Sequence, residues 1–134
     1  MDPLPFVDEH SRAVRGGVEA TFDAVLAVAS GLARRRLPRT FVRAWDLRPR
    51  SGFAIAEVTP AQRVVLRGAH RFSTYELEFL VEQTRPATVV RARTRAEFPG
   101  LWGTVYRSLV IGSRGHVLAV RQMLRDIDRR SAGT

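Results

Sequence analysis

Apolar and polar positions along the chain change period several times, and each change predicts an element. Phe6 to Arg15 alternates patchily and ends at Gly16-Gly17, which predicts a first strand and a turn. Val18, Phe22, Val25, Leu26, Ala29 and Leu32 then recur at steps of three and four, one face of a helix, with Glu19 and Asp23 near its N-terminal dipole. Gly52 to Val58 and Gln62 to Arg67 are β-branched runs around Thr59-Pro60-Ala61, a hairpin signal. Ser73, Tyr75, Leu77, Phe79 and Val81 alternate with Thr74, Glu76, Glu78 and Glu82; Leu80 is the exception. Beyond a turn at Thr84 to Pro86, Thr88, Val90, Ala92, Thr94, Ala96 and Phe98 alternate with Arg91, Arg93 and Arg95. Trp102, Val105, Leu109, Ser113, His116, Val120, Met123 and Ile127 finally trace one face of a helix over Pro99 to Arg130. Arg107, Arg114, Arg121 and Arg125 lie on its opposite face.

Two strands can be paired from these patterns. A hairpin about the 83–88 loop sets Glu78 across from Arg93 and Glu76 across from Arg95. The same register sets Tyr75 by Ala96 and Phe79 by Ala92 on the apolar face. A slip of one residue would drive arginines into the core. The small residues Ala92, Thr94 and Ala96 facing large ones imply either tight packing under a helix or the lining of a cavity. A continuous terminal helix from Gly103 to Arg130 would run roughly 42 Å. Gly112 and Gly115 interrupt it beside His116, each costing about 1 kcal/mol relative to Ala, and mark a bend or a close approach to the backbone.

The order of elements predicts an α+β domain: a curved antiparallel sheet wrapped on a long C-terminal helix, with a short helix after the first strand. With 134 residues and 45% hydrophobic positions, the chain reads as one domain over 1–134, with 131–134 as a disordered tail. There is no cysteine, which excludes disulfides, thiolate metal sites and thiol catalysis. No secretory signal or membrane-length apolar run is visible, so a cytoplasmic location is expected.

The net charge of +9 rests on 22 basic residues that are all arginine, and asparagine is absent too. Lysine and asparagine share A-rich codons, so coding bias accounts for the choice of cation, although the field it produces is real. Charge is densest in RRRLPRTFVRAWDLRPR, where Thr40 to Leu47 reads as an edge strand or an irregular arm. Arg34, Arg35, Arg36 and Arg39, with Phe41 and Trp45 for stacking, are the candidate surface for an acidic protein or RNA. No base-reading or phosphate-loop motif accompanies them, so a solvated connection is the simpler reading.

Catalytic motifs are sparse. His10, His70 and His116 are far apart and form no metal-binding spacing, no GxSxG elbow is present, and no cofactor motif appears. GSRGH at 112–116 lies in a helical pattern, not at a strand-to-helix turn. His70 and Arg71 read as an exposed turn, and Trp102 as a core plug. His116 stands out because the helical stripe buries it: facing a cavity it would suit proton transfer to a carbonyl compound, and otherwise it is a core histidine bonded to backbone. Tyr75 and Tyr106 could offer hydroxyls to a ligand.

From GFAIAEVTPAQRVVLRG through HRFSTYELEF and TRAEFPG to VYRSLVIGSRGHVLAVRQML, the chain resembles the helix-grip proteins. These are the SRPBCC, START-like, Bet v 1-like or polyketide-cyclase-like superfamily, and the resemblance is to a bacterial branch whose members are mostly uncharacterised. It implies a sheet gripping the terminal helix around a cavity for lipids, quinones, hormones or polyketides. Tyr75, Phe79, Thr94, Tyr106 and His116 become candidate ligand-binding residues. A cyclase or dehydratase with His116 as acid/base and Tyr75 or Tyr106 orienting a carbonyl is the enzymatic alternative. The region after the first helix looks too brief for the usual two helices and early strands, so a small or closed cavity is expected.

Overall fold

The computed structural model describes residues 4–84, 86–100, 103–105, 107, 108 and 114–133. The chain runs β1 (Phe6–Val14), α1 (Val18–Arg34), α2 (Arg39–Trp45), β2 (Ala54–Thr59), β3 (Arg63–His70), β4 (Ser73–Gln83), β5 (Thr88–Glu97) and α3 (Gly115–Ala132). Residues 100, 103–105, 107 and 108 are helical as well. All five strands join one antiparallel sheet in the order β1-β5-β4-β3-β2. Bulges between Phe6 and Asp8 and between Ile55 and Glu57 bend the two edge strands.

The β4–β5 pairing has the register that charge and alternation predict: Glu78 faces Arg93, Glu76 faces Arg95, Tyr75 faces Ala96 and Phe79 faces Ala92. On the outer face an acid–base lattice runs across the strands. Glu78 pairs with Arg63 and Arg93, Glu76 with Arg67 and Arg95, and Arg91 with Glu9 and Glu82. Several of the arginines behind the net charge are therefore held by partners on this face.

On the inner face Val64, Leu66, Leu77, Phe79, Val81, Val90 and Ala92 meet Phe22, Val25 and Ala29 of α1 and Val120, Leu124 and Ile127 of α3. The α1 stripe is the predicted one. The terminal helix differs from expectation. Arg114 adopts a left-handed conformation (φ 60°), so α3 begins at Gly115 and the long rod is divided. Two glycines within four residues make this the cheapest place to interrupt a helix. Consequently Val105, expected on the buried stripe, is 45% exposed. Trp102, Leu109, Gly112 and Ser113 lie outside the described residues.

Two further differences follow from tertiary packing. The segment read as an edge strand or arm is the short helix α2, capped by left-handed Asp46 and tied to β3 through Arg48 and Ala69. Ser131 and Ala132, expected in a disordered tail, end α3, and Ser131 is buried beside Gly16.

Candidate functional site

The sheet's inner face is not filled evenly. Around Phe79, Val90 and Ala92, α1 and α3 close the gap completely. Toward the other end of the same strands the side chains shrink to Ser73, Thr94 and Ala96, and a cavity of about 360 Å³ remains. Tyr75, Leu77 and Phe98 share the sheet side of its wall; Val120 and Met123 of α3 face them. Phe41 and Leu47, from α2 and the turn after it, line a third side, and Phe53 and Arg35 a fourth. Both readings of the small β5 residues are thus realised: Ala92 is packed tight, while Thr94 and Ala96 leave space. Thr94 Oγ1 is buried with no hydrogen-bond partner among the described residues.

His116 lines this cavity from the first turn of α3. Its Nε2 lies 3.2 Å from Asp8 Oδ1, and His10 Nε2 lies 3.2 Å from the other oxygen, Oδ2. Strand geometry explains the meeting. The β1 bulge turns Val7 into the cavity and sets Asp8 opposite Thr94, on the inner face; period two then brings His10 and Arg12 to that face as well. A carboxylate bonded to Nε2 fixes the imidazole's orientation and leaves Nδ1 for a bound molecule, an arrangement suited to proton transfer. The two imidazoles engage separate oxygens of one carboxylate, and among the described residues no group of three or more His, Cys, Asp or Glu could hold a metal ion.

The opposite end is aromatic. Tyr75 donates its hydroxyl proton to the Gly52 carbonyl at 2.5 Å, crossing directly over Gly68, its cross-strand neighbour. A Cβ on Gly68 would collide with Gly52 O and come within 2.7 Å of the Tyr75 ring, so only glycine lets the 47–53 loop seat here. Phe53 packs edge-on to Tyr75 (5.3 Å between centroids), and His70 sits against Tyr75, Trp45 and Phe72. His70 Nδ1 accepts from the Phe72 backbone N–H at 3.1 Å, and burial pushes the imidazole's pKa below its ordinary value. His70 is thus a cavity residue, not an exposed turn.

The structure sorts the sequence candidates. Tyr75, Thr94 and His116 line one cavity; Phe79 is fully buried in the core beside it; Tyr106 lies outside the described residues. Arg34, Arg35, Arg36 and Arg39 are all exposed; of the four only Arg35 lines the cavity, at its rim, its Nε donating to Ser51 O at 2.5 Å. Asp8 and His10 were missed by sequence reasoning. Their only signal is a strand whose alternation places Asp8, His10 and Arg12 together on a face that should be apolar.

No protein-family model and no curated protein matches this chain in sequence. Solved structures match it in shape. The protein CV1439 from Chromobacterium violaceum superposes with a TM-score of 0.58 at 13% identity, covering 95% of this chain and 98% of that one. The fold is the helix-grip fold. StfQ, a di-domain ARO/CYC from the steffimycin biosynthetic pathway, matches with a TM-score of 0.54 at 15% identity over 95% of this chain. DynU16, a protein of the dynemicin biosynthetic locus, matches with 0.52 at 17% identity over 92%. The chain spans about half of each of these two, 52% and 47% respectively. Among the described residues no helix is long and apolar enough to cross a membrane.

Proposed function

We propose that this chain binds a small hydrophobic molecule, of lipid, quinone or polyketide-like character, between the helix-grip sheet and α3. The observation that carries the reading is the 360 Å³ cavity itself, walled by Leu77, Ala96, Phe98, Val120 and Met123 with few polar groups. That volume lies within the roughly 300–1,000 Å³ of small-molecule sites. Small side chains on β5, Thr94 and Ala96, leave the space open, and the glycine at position 68 lets the loop that carries Phe53 seat at its edge. A cytoplasmic location fits the cysteine-free sequence. Native mass spectrometry of freshly purified protein tests the reading. A co-purified apolar molecule, lost when Ala96→Phe fills the floor, is the expected result; an empty wild type that takes up no apolar probe ends it.

Acid–base chemistry on the bound molecule is a second reading, favoured by the Asp8–His116 contact on the cavity wall. His116 would exchange a proton with a ligand carbonyl while Asp8 holds the ring. His116→Ala should then abolish turnover of a cyclisation or dehydration substrate with ligand affinity changed only a few-fold. Undiminished turnover in that variant would leave binding alone.

A further inference from the structure

We infer that the cavity's ligand is an organic anion whose acid group is received by Arg35. This inference rests on the small-molecule reading above and adds the charge and placement of the ligand. Arg35 follows the last turn of α1 and lines the cavity beside Phe53, Tyr75 and His70. Its side chain is held in place at two points: Nε donates to Ser51 O, and the guanidinium carbon lies 5.7 Å from the centre of the Phe53 ring. Neither contact neutralises it. Among the described residues Arg35 has no carboxylate within ion-pairing distance, whereas Arg63, Arg67, Arg91, Arg93 and Arg95 all have one.

The wall offers no competing anion. Glu76 is the one acidic residue among the lining residues, and its two oxygens are engaged by Arg67 and Arg95 on the outer face of the sheet; Asp8, behind His116 at the far end, has its two oxygens engaged by His116 and His10. A guanidinium immobilised through Nε keeps its terminal nitrogens for an oxyanion, the geometry in which arginine binds a planar acid. The position also sets the ligand's length. Arg35 sits above β3 and β4, through Gly52, Gly68 and Tyr75, while His116 reaches in over β1. β1 and β3 are three strand spacings apart in the sheet, about 14 Å. An apolar body lying across β4 and β5 therefore has its acid group at the aromatic rim and its far end at His116.

Two fluorescent probes that share a ring system separate charge from shape: anilinonaphthalenesulfonate, an anion, and N-phenylnaphthylamine, its neutral counterpart. The wild type should bind the sulfonate about five- to tenfold more tightly, the range of a charge-assisted contact at a hydrated rim. Arg35→Met should erase that preference and leave the neutral probe within about twofold; Arg35→Lys, which retains the charge, should keep most of it, and Arg36→Met, on the exposed neighbour, all of it. Inorganic phosphate at equal concentration should not displace the sulfonate, because the apolar walls hold the ring system. Equal affinity of the wild type for both probes overturns the inference, and needs no variant to fold. So does an Arg35→Met variant that weakens both probes alike, an Arg36→Met variant that behaves as Arg35→Met, or displacement by phosphate. If the wild type binds neither probe, the small-molecule reading itself falls, a result distinct from all of these.

Discussion

Asp128 is the buried carboxylate that fastens α3 to the beginning of the chain, and its removal has a calculable cost. It is 5% exposed and accepts four hydrogen bonds: from Arg12 Nε at 3.2 Å, Arg12 Nη2 at 3.1 Å, the Arg15 backbone N–H at 3.1 Å and Arg15 Nε at 3.4 Å. The Arg12 and Arg15 side chains are 42% and 65% exposed, so water screens both ion pairs and each contributes about 0–1 kcal/mol. The backbone bond to a buried charge is worth about 1.5–3 kcal/mol. Asp128→Ala should therefore cost about 2–4 kcal/mol in urea unfolding at neutral pH, on the order of 10 °C in Tm. Asp128→Asn preserves the shape and one acceptor for the Arg15 N–H, and should lose about half as much. Acid titration supplies an independent check. Burial pushes the Asp128 carboxyl up, but the bonds from the Arg15 backbone and from the Arg12 and Arg15 side chains outweigh it and hold the group below the ordinary carboxylate range. The unfolded chain then takes up the proton first. The contribution is full above about pH 4 and is lost as pH falls through the depressed folded value. The advantage of wild type over Asp128→Asn should accordingly shrink below about pH 4. An alanine variant within 1 kcal/mol of wild type, or an advantage that grows on acidification, would refute the reasoning.

Two further tests address the aromatic end of the cavity. Gly68→Ala forces the 47–53 loop off β3 and should cost about 1–3 kcal/mol for overpacking, plus about 1 kcal/mol for the Tyr75–Gly52 bond. Combined with Tyr75→Phe the loss should be less than additive in urea unfolding, because both substitutions remove that bond; full additivity would show that Gly68 does not serve it. For His70, burial depresses the folded pKa, so its neutral form is the folded one. Its contribution is intact above the ordinary value of 6.5 and declines as pH falls below it. Tm between about pH 7 and pH 5 should fall more steeply in wild type than in His70→Gln, and parallel curves would rule out His70 as the source.

Much of the fold was legible residue by residue. α1, the β2–β3 hairpin and the β4–β5 register follow from local periodicity, and the Glu76–Arg95 and Glu78–Arg93 pairings could be read before any coordinates. Such patterns survive in sequence because helix and strand geometry repeat over three to four residues or two, and one buried face imposes that repeat. The division of the terminal helix was half legible: two glycines marked a weak place, but only packing decided that Arg114 would turn left-handed there. α2 was invisible because none of its residues is buried, so no apolar stripe records it.

The candidate site belongs almost wholly to the tertiary structure. Asp8 and His116 are 108 positions apart and meet because β1 leaves the N-terminus to pair with β5 at the far edge of the sheet. A single bulged residue, Val7, then decides which side chains of β1 face α3. Arg35 was one of three consecutive arginines until the 47–53 loop drew it, and not its neighbours, to the cavity. The cavity itself leaves no local trace. It is the space that remains when helices meet a sheet whose side chains diminish from Phe79 to Ala96, and a sequence records side chains, not the gaps between elements that have yet to be packed.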